Sequence, residues 1–175
     1  MVNYRRNRLP GGTYFFTVTL RDRTSRRLVE QMVELRSALR QVKRELPFHI
    51  DAMVVMPEHL HAVWTLPPGD DDYAGRWRLI KSRFTRALIR TGVGLRRNEK
   101  GEYDLWQRRY WEHTVRDETD LERHVDYIHY NPVKHGHVKR VCDWPYSTFH
   151  RYVKAGVYPL DWAGVADEQE GAFGE

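Results

Sequence analysis

Two apolar runs, His49 to Met56 and His59 to Leu66, are separated only by Pro57 and Glu58. So short a connection joins antiparallel neighbours, so the chain is committed to a hairpin and to a sheet built around it. Side chains two apart on a strand share a face, so His59 and His61 project together while Leu60 points away. The hairpin thus presents a pair of imidazoles, and the other elements can be read for what they bring to it.

Thr13 to Leu20 is dense in aromatic and β-branched residues and reads as a first strand, entered through the turn Pro10-Gly11-Gly12. Leu28, Met32, Leu35, Leu39, Val42 and Leu46 recur at helical spacing and predict one long helix that Pro47 stops. After the loop 67–72, a second helix places Trp77, Ile80, Phe84, Ala87 and Leu88 on one side, with Arg76, Arg83, Arg86 and Arg90 as a stripe beside them. Residues 91–102 read as a loop, and Tyr103 to Val115 as a last strand or strand pair. Asp117 suits the cap of a third helix with Leu121, Val125 and Ile128 as its buried stripe, and Asn131-Pro132 is expected to end it. Strand, helix, strand, strand, helix, strand, helix is the order of a ferredoxin-like α+β domain: a mostly antiparallel sheet with helices packed on it. The predicted organisation is a basic arm over 1–12, one domain over 13–158 and an acidic tail over 159–175.

Charge narrows the partner. Residues 161–175 hold five acids and no base, so residues 1–160 carry +10, which favours a polyanion, nucleic acid first and anionic membrane second. Residues 76–100 alone hold nine bases against one acid and read as a phosphate track. Aromatic residues, 13% of the chain, sit beside arginines in Trp106-Gln-Arg-Arg-Tyr-Trp111, a combination suited to single strands. The lone Cys142 excludes an intramolecular disulfide and a multi-cysteine zinc site, and with no long apolar run the expectation is a cytoplasmic location away from membranes.

Two imidazoles are two ligands for a divalent metal, and a third is needed. Tyr127 and Asn131, four apart, share a helix face beside the apolar stripe. Asn131 offers an amide oxygen as that third ligand, although Glu58 or Asp51 would serve as a carboxylate instead, and Tyr127 brings a phenol close to the metal. Such a phenol is suited to attacking a phosphodiester and holding the cut strand as an ester, with a Lewis acid on the scissile phosphate. Tyr130 is a second, less favourably rotated phenol. His129 lies on another side of the helix from Tyr127, and no general base is evident in the sequence.

His59-Leu-His61 followed by Tyr127-Ile-His-Tyr-Asn-Pro-Val-Lys134, together with Gly12-Thr-Tyr-Phe-Phe-Thr17 and Trp106 to Glu112, resembles the single-tyrosine, His-hydrophobe-His transposases, specifically the REP-associated tyrosine transposases. The resemblance implies metal binding by His59, His61 and Asn131, with Mg²⁺ or Mn²⁺ as the cofactor. It implies attack by Tyr127 on hairpin-bearing single-stranded DNA, giving a 5′-phosphotyrosine and a free 3′-hydroxyl. By the same analogy Arg5, Arg6, Arg8, Gly12 and Thr13 help read the hairpin foot or a guide beside it, and Arg83, Arg86 and Arg90 hold backbone phosphates. Monomer and homodimer both fit. The alternatives are a non-catalytic hairpin-binding repressor or architectural protein, and a metal nuclease in which water attacks.

Overall fold

The computed structural model describes residues 7–163. Four antiparallel strands, β1 (Thr13–Thr19), β2 (His49–Val55), β3 (His59–Thr65) and β4 (Trp111–Thr114), stand in the order β2-β3-β1-β4. With a helical crossover before β2 and another before β4, this is the ferredoxin-like α+β domain that the element order predicts.

Each strand alternates between two buried faces. Tyr14, Phe16, Val18, Leu60, Ala62 and Trp64 join α2 (Met32–Glu45) and α3 (Tyr73–Arg90) in one core. Phe15, Val54 and Val63 pack on the opposite side with Val125, Tyr127 and Ile128 of α4 (Glu118–Lys134). The sheet is therefore sandwiched rather than backed on one side only, because its second face is as apolar as its first and has to be covered. A register shift between Ile50 and Ala52 in β2 makes Asp51 the extra residue of a bulge.

The boundaries depart from the sequence pattern in three places. The long helix is split into a single turn, α1 (Arg27–Glu30), and α2, with Gln31 at φ −112°, ψ 38°. The Leu28 amide donates to the Pro57 carbonyl at 3.1 Å, which ties the first turn to the hairpin instead of to the helix axis. Of Tyr103 to Val115 only residues 111–114 form a strand, while Tyr103 and Trp106 make single bridges to Arg97 and Leu20. Cations draw the intervening segment off the sheet: the Arg97 guanidinium lies 4.3 Å from the Tyr103 ring, and the Lys81 ammonium 5.3 Å from that of Tyr110. Finally, α4 runs through Pro132 to Lys134. Its stop is Gly136 at φ +70°, where His137 donates to the Pro132 carbonyl and Gly136 to that of Val133, both at 2.9 Å.

The outer edge of β2 is closed by a later segment. The Val55 amide donates to the Tyr146 carbonyl, the Thr148 amide to the Met53 carbonyl, and the Trp144 indole to the Val55 carbonyl. Thr148 leads directly into α5 (Phe149–Lys154), whose Arg151 and Tyr152 donate to the carbonyl of Asp51.

Candidate active site

β3 delivers His59 and His61, 1% and 0% exposed, to the face covered by α4. The antiparallel register sets Thr17 of β1 opposite His61, and the Thr17 hydroxyl lies 2.9 Å from His61 Nδ1. Glu58 Oε1 lies 2.8 Å from His59 Nδ1. Burial pulls the Glu58 carboxyl upward, but the hydrogen bond and charge of His59, with Glu58's own backbone amide and the charge of Arg23, together outweigh it and hold the group below its ordinary range. Both rings are thus gripped at Nδ1, which leaves Nε2 as the ligating nitrogen, and the buried Nε2 of His59 makes no hydrogen bond. A carboxylate or hydroxyl on one nitrogen with the other nitrogen presented is how ligating histidines are oriented.

α4 supplies the facing groups. Its Asp117 cap accepts from the Asp120 amide at 2.8 Å, and from there Asp120, His124, Tyr127, Asn131 and Lys134 follow at spacings of four, three, four and three, one stripe down the helix. The Tyr127 ring packs edge-on against His61 at 5.2 Å between centroids, and the Lys134 ammonium lies 5.0 Å from the Tyr127 centroid. Asn131 is fully buried on the same stripe of the helix as Tyr127. His135 comes within 5.4 Å of His59, ring to ring. Two imidazole nitrogens and one amide oxygen suit a borderline or hard divalent cation such as Mn²⁺ or Mg²⁺.

Asp51 lies elsewhere: its carboxylate takes the Thr65 hydroxyl at 2.8 Å and His49 Nδ1 at 3.0 Å, at the far end of β3. Tyr130 is half-buried and has no contact of this kind. His129 faces α5, its Nε2 2.9 Å from the Thr148 hydroxyl and its ring 4.8 Å from Tyr152. Burial, aided by the charges of Arg151 and His150, pushes His129 down to about 3, so it is neutral at pH 7. An unfolded chain takes up that proton near pH 6.5. The stability His129 permits is therefore complete above that value and falls toward pH 3, by up to about 1.4 kcal/mol per pH unit. Urea unfolding at pH 7 and pH 5 is expected to show this slope, and His129→Gln to flatten it by about one proton.

The predicted DNA contacts are dispersed. Arg5 and Arg6 lie outside the described residues. Gly12 is buried, and a Cβ there would stand 2.8 Å from the Leu9 carbonyl oxygen. The Thr13 hydroxyl is bonded to that of Thr65 at 2.8 Å. Thr13 pairs with Thr65 at the far end of β3, so it stands about 13 Å from His61 and about 20 Å from His59 at ~3.3 Å per residue. Arg83, Arg86 and Arg90 belong to α3 on the other side of the sheet, lining a groove against α2, and Arg83 is paired with Glu45 at 3.0 Å. Arg76 is no surface cation: it is 1% exposed and forks onto Asp70 at 3.0 and 2.6 Å while donating to three carbonyls. The sequence reading missed a groove of about 530 Å³ beside β4, where Arg8, Arg78, Lys81 and Arg108 gather around Tyr110. Its sequence signs were scattered over Arg8, the basic run 76–100 and the aromatic-arginine run 106–111. A second group, His113, Asp120 and His124, has ligand-type atoms within 4.8 Å of one another and was likewise unforeseen.

An antiparallel sheet that sets two imidazoles against a helical tyrosine defines a class, and residues 13–131 match the family model described as "Transposase IS200 like". The REP-associated tyrosine transposase of Escherichia coli (strain K12) is 54% identical over 164 residues, 94% of this chain and 92% of that one. A solved structure described as the REP-associated tyrosine transposase bound to a REP hairpin superposes with a TM-score of 0.87 at 52% identity, covering 100% of this chain and 98% of that one. The chain belongs to the IS200-like transposase family and, within it, to the REP-associated tyrosine transposases.

Proposed function

We propose that this chain cuts and rejoins single-stranded DNA beside hairpins through a covalent 5′-phosphotyrosine at Tyr127, with Mg²⁺ or Mn²⁺ held by His59, His61 and Asn131. The observation that carries the reading is the buried His59 Nε2, which makes no hydrogen bond, in a strand whose next imidazole, His61, packs edge-on against the Tyr127 ring. Leaving such a nitrogen dry costs about 1–3 kcal/mol, a cost that a bound cation would offset.

When bound, the cation supplies Lewis-acid polarisation of the scissile phosphate. The Tyr127 oxygen forms a bond to phosphorus as the bond to the 3′-oxygen breaks; the phenol proton passes to water and the departing oxygen takes one up as a 3′-hydroxyl. Glu58 and Thr17 hold the two imidazoles in the ligating orientation. Lys134, beside the Tyr127 ring, adds positive charge where the phosphate would stand. The groove around Tyr110 supports a DNA partner, since Trp111 follows it in β4 and pairs with Thr17, the residue bonded to His61. The proposed path for a strand thus runs over the β4 edge, with Arg8, Arg78 and Arg108 on its phosphates, rather than along Arg86 and Arg90. The relative's REP hairpin makes a DNA hairpin the substrate to try.

The test is incubation with end-labelled hairpin DNA carrying single-stranded flanks, with Mn²⁺ or with a chelator. A denaturation-resistant protein–DNA adduct is expected with the metal and not with the chelator. His59→Ala with His61→Ala is expected to remove it, and adduct formation that survives both changes would overturn the metal assignment. Tight hairpin binding without any adduct would favour the repressor reading.

A further inference from the structure

We propose that Asp120 is a positioning residue for Tyr127: its buried carboxylate fastens the first turn of α4 to β4 and thereby sets where the nucleophile stands over His61. The inference rests on the reading of Tyr127 as nucleophile.

α4 touches the sheet in two ways. Through Val125 and Ile128 it lies on the apolar surface of β2 and β3, a contact that fixes its distance from the sheet but is not itself directional. Hydrogen bonds give the direction: His129 meets the Thr148 hydroxyl beside β2, and the first turn is fastened to β4. Asp120 Oδ2 lies 2.8 Å from His113 Nε2 of β4 and accepts the Arg116 amide at 2.9 Å. The Asp120 carbonyl takes His124 Nδ1 at 2.7 Å, and Asp120 Oδ1 lies 3.3 Å from the same nitrogen. Only Val115, Arg116 and Asp117 join β4 to α4, so this bond closes a tight loop.

From that bond a run of ring contacts reaches the site. His113 and His124 stack at 4.7 Å and 18°, His124 meets Phe15 at 4.7 Å, Phe15 stacks on His61 at 5.5 Å and 18°, and Phe15 meets the edge of Tyr127 at 6.1 Å. A roll of α4 that displaced Tyr127 would break the Asp120–His113 bond and unstack these rings together. Interiors packed this densely resist small shifts, and attack at phosphorus tolerates misplacement of only about 1 Å before rates fall by about a hundredfold.

Burial alone would raise the Asp120 carboxyl; the bonds from His113 and the Arg116 amide outweigh it and hold the group at about 2. It is therefore a fixed carboxylate at neutral pH. The same three side chains have a metal-ligand composition, but Asp120 Oδ2 and His124 Nδ1 are already committed to protein partners. The Arg116 guanidinium, 3.3 Å from Asp120 Oδ2, further disfavours a cation there.

The experiment measures single-turnover adduct formation at saturating hairpin DNA and Mn²⁺, alongside hairpin affinity, melting and Mn²⁺ stoichiometry. Asp120→Ala is expected to slow adduct formation at least about thirtyfold while hairpin affinity changes by less than about twofold. Asp120→Asn, which keeps the shape and a bond to His113, should recover most of the rate. Arg116→Ala, an exposed contact to the same carboxylate, is expected to stay within about twofold of wild type. Should Asp120→Ala fail to fold, His113→Phe replaces it, keeping the stack on His124 while removing the bond. Wild-type rates in the Asp120 and His113 variants would overturn the inference. So would loss of rate in strict proportion to loss of DNA affinity, or a second Mn²⁺ equivalent that Asp120→Ala removes. If the wild type forms no adduct at all, the nucleophile reading fails instead, which the Tyr127 variant separates from failure of the latch.

Discussion

Replacing Tyr127 with Phe is expected to abolish the covalent DNA adduct, slowing cleavage by at least about a thousandfold while hairpin affinity stays within about twofold. The change removes one oxygen and little else. The ring keeps its edge on His61, its contact with Phe15 and the Lys134 ammonium beside it, so α4 has no reason to move. Tyr130 offers no substitute, because three residues along a helix turn its side chain about 60° away from Tyr127's direction. A denaturing gel of labelled hairpin DNA with wild type and variant gives the readout. Cleavage by Tyr127→Phe at the wild-type rate, with no adduct in either protein, would point to a metal-activated water as the attacking group.

The largest effect on stability is expected at Trp64→Ala, about 3–5 kcal/mol by urea unfolding. Trp64 is fully buried on the α2/α3 side of β3, stacked on Trp77 at 4.1 Å and 17°, with Phe48 at 4.3 Å and Phe16 at 5.0 Å. Removing the indole leaves a cavity bounded by rings, and rings relax poorly into a void. Its Nε1 has no hydrogen bond, so the loss is one of packing rather than of polar partners. Trp64→Phe is expected to cost less than half as much. Because β3 carries His59 and His61 on its other face, Trp64→Ala should also weaken Mn²⁺ binding, whereas an equally destabilising change in α2 should not.

The sequence was most informative where periodicity and spacing act locally. A two-residue connection allows only a hairpin, and residues four apart on a helix share a face, so His59, His61, Tyr127 and Asn131 were legible as two pairs; the fold sets one member of each, His61 and Tyr127, ring against ring. What periodicity does not encode is which side of a sheet a helix covers. The α3 arginines look like a track for the site's substrate, yet they lie behind the sheet, because helical spacing gives direction around an axis and nothing about the layer. Arg76 was misread as a surface cation for a related reason: its partner Asp70 and the carbonyls of Leu46 and Pro47 come from two loops that only the tertiary structure joins. The Asp120–His113 bond was invisible because a capping-region acid and a strand histidine each have an ordinary local explanation. Pro132 misled by its rule of thumb, since a proline near a helix end forfeits one hydrogen bond and Gly136 was the stronger stop.

The cover over the β2 edge bears on how the chain is made. The backbone and side-chain groups that shield β2 come from residues 144–152, 89 to 101 positions after their partners in the strand. At about 5–20 residues per second of synthesis, the strand waits roughly 5–20 s for its cover. Throughout that interval an apolar run, Ala52 to Met56, has one side open to pairing with any extended chain nearby. The nascent protein is thus most vulnerable to misassembly after its hairpin has formed and before α5 has been translated, and residues 144–152 serve as the closing step for this edge of the sheet.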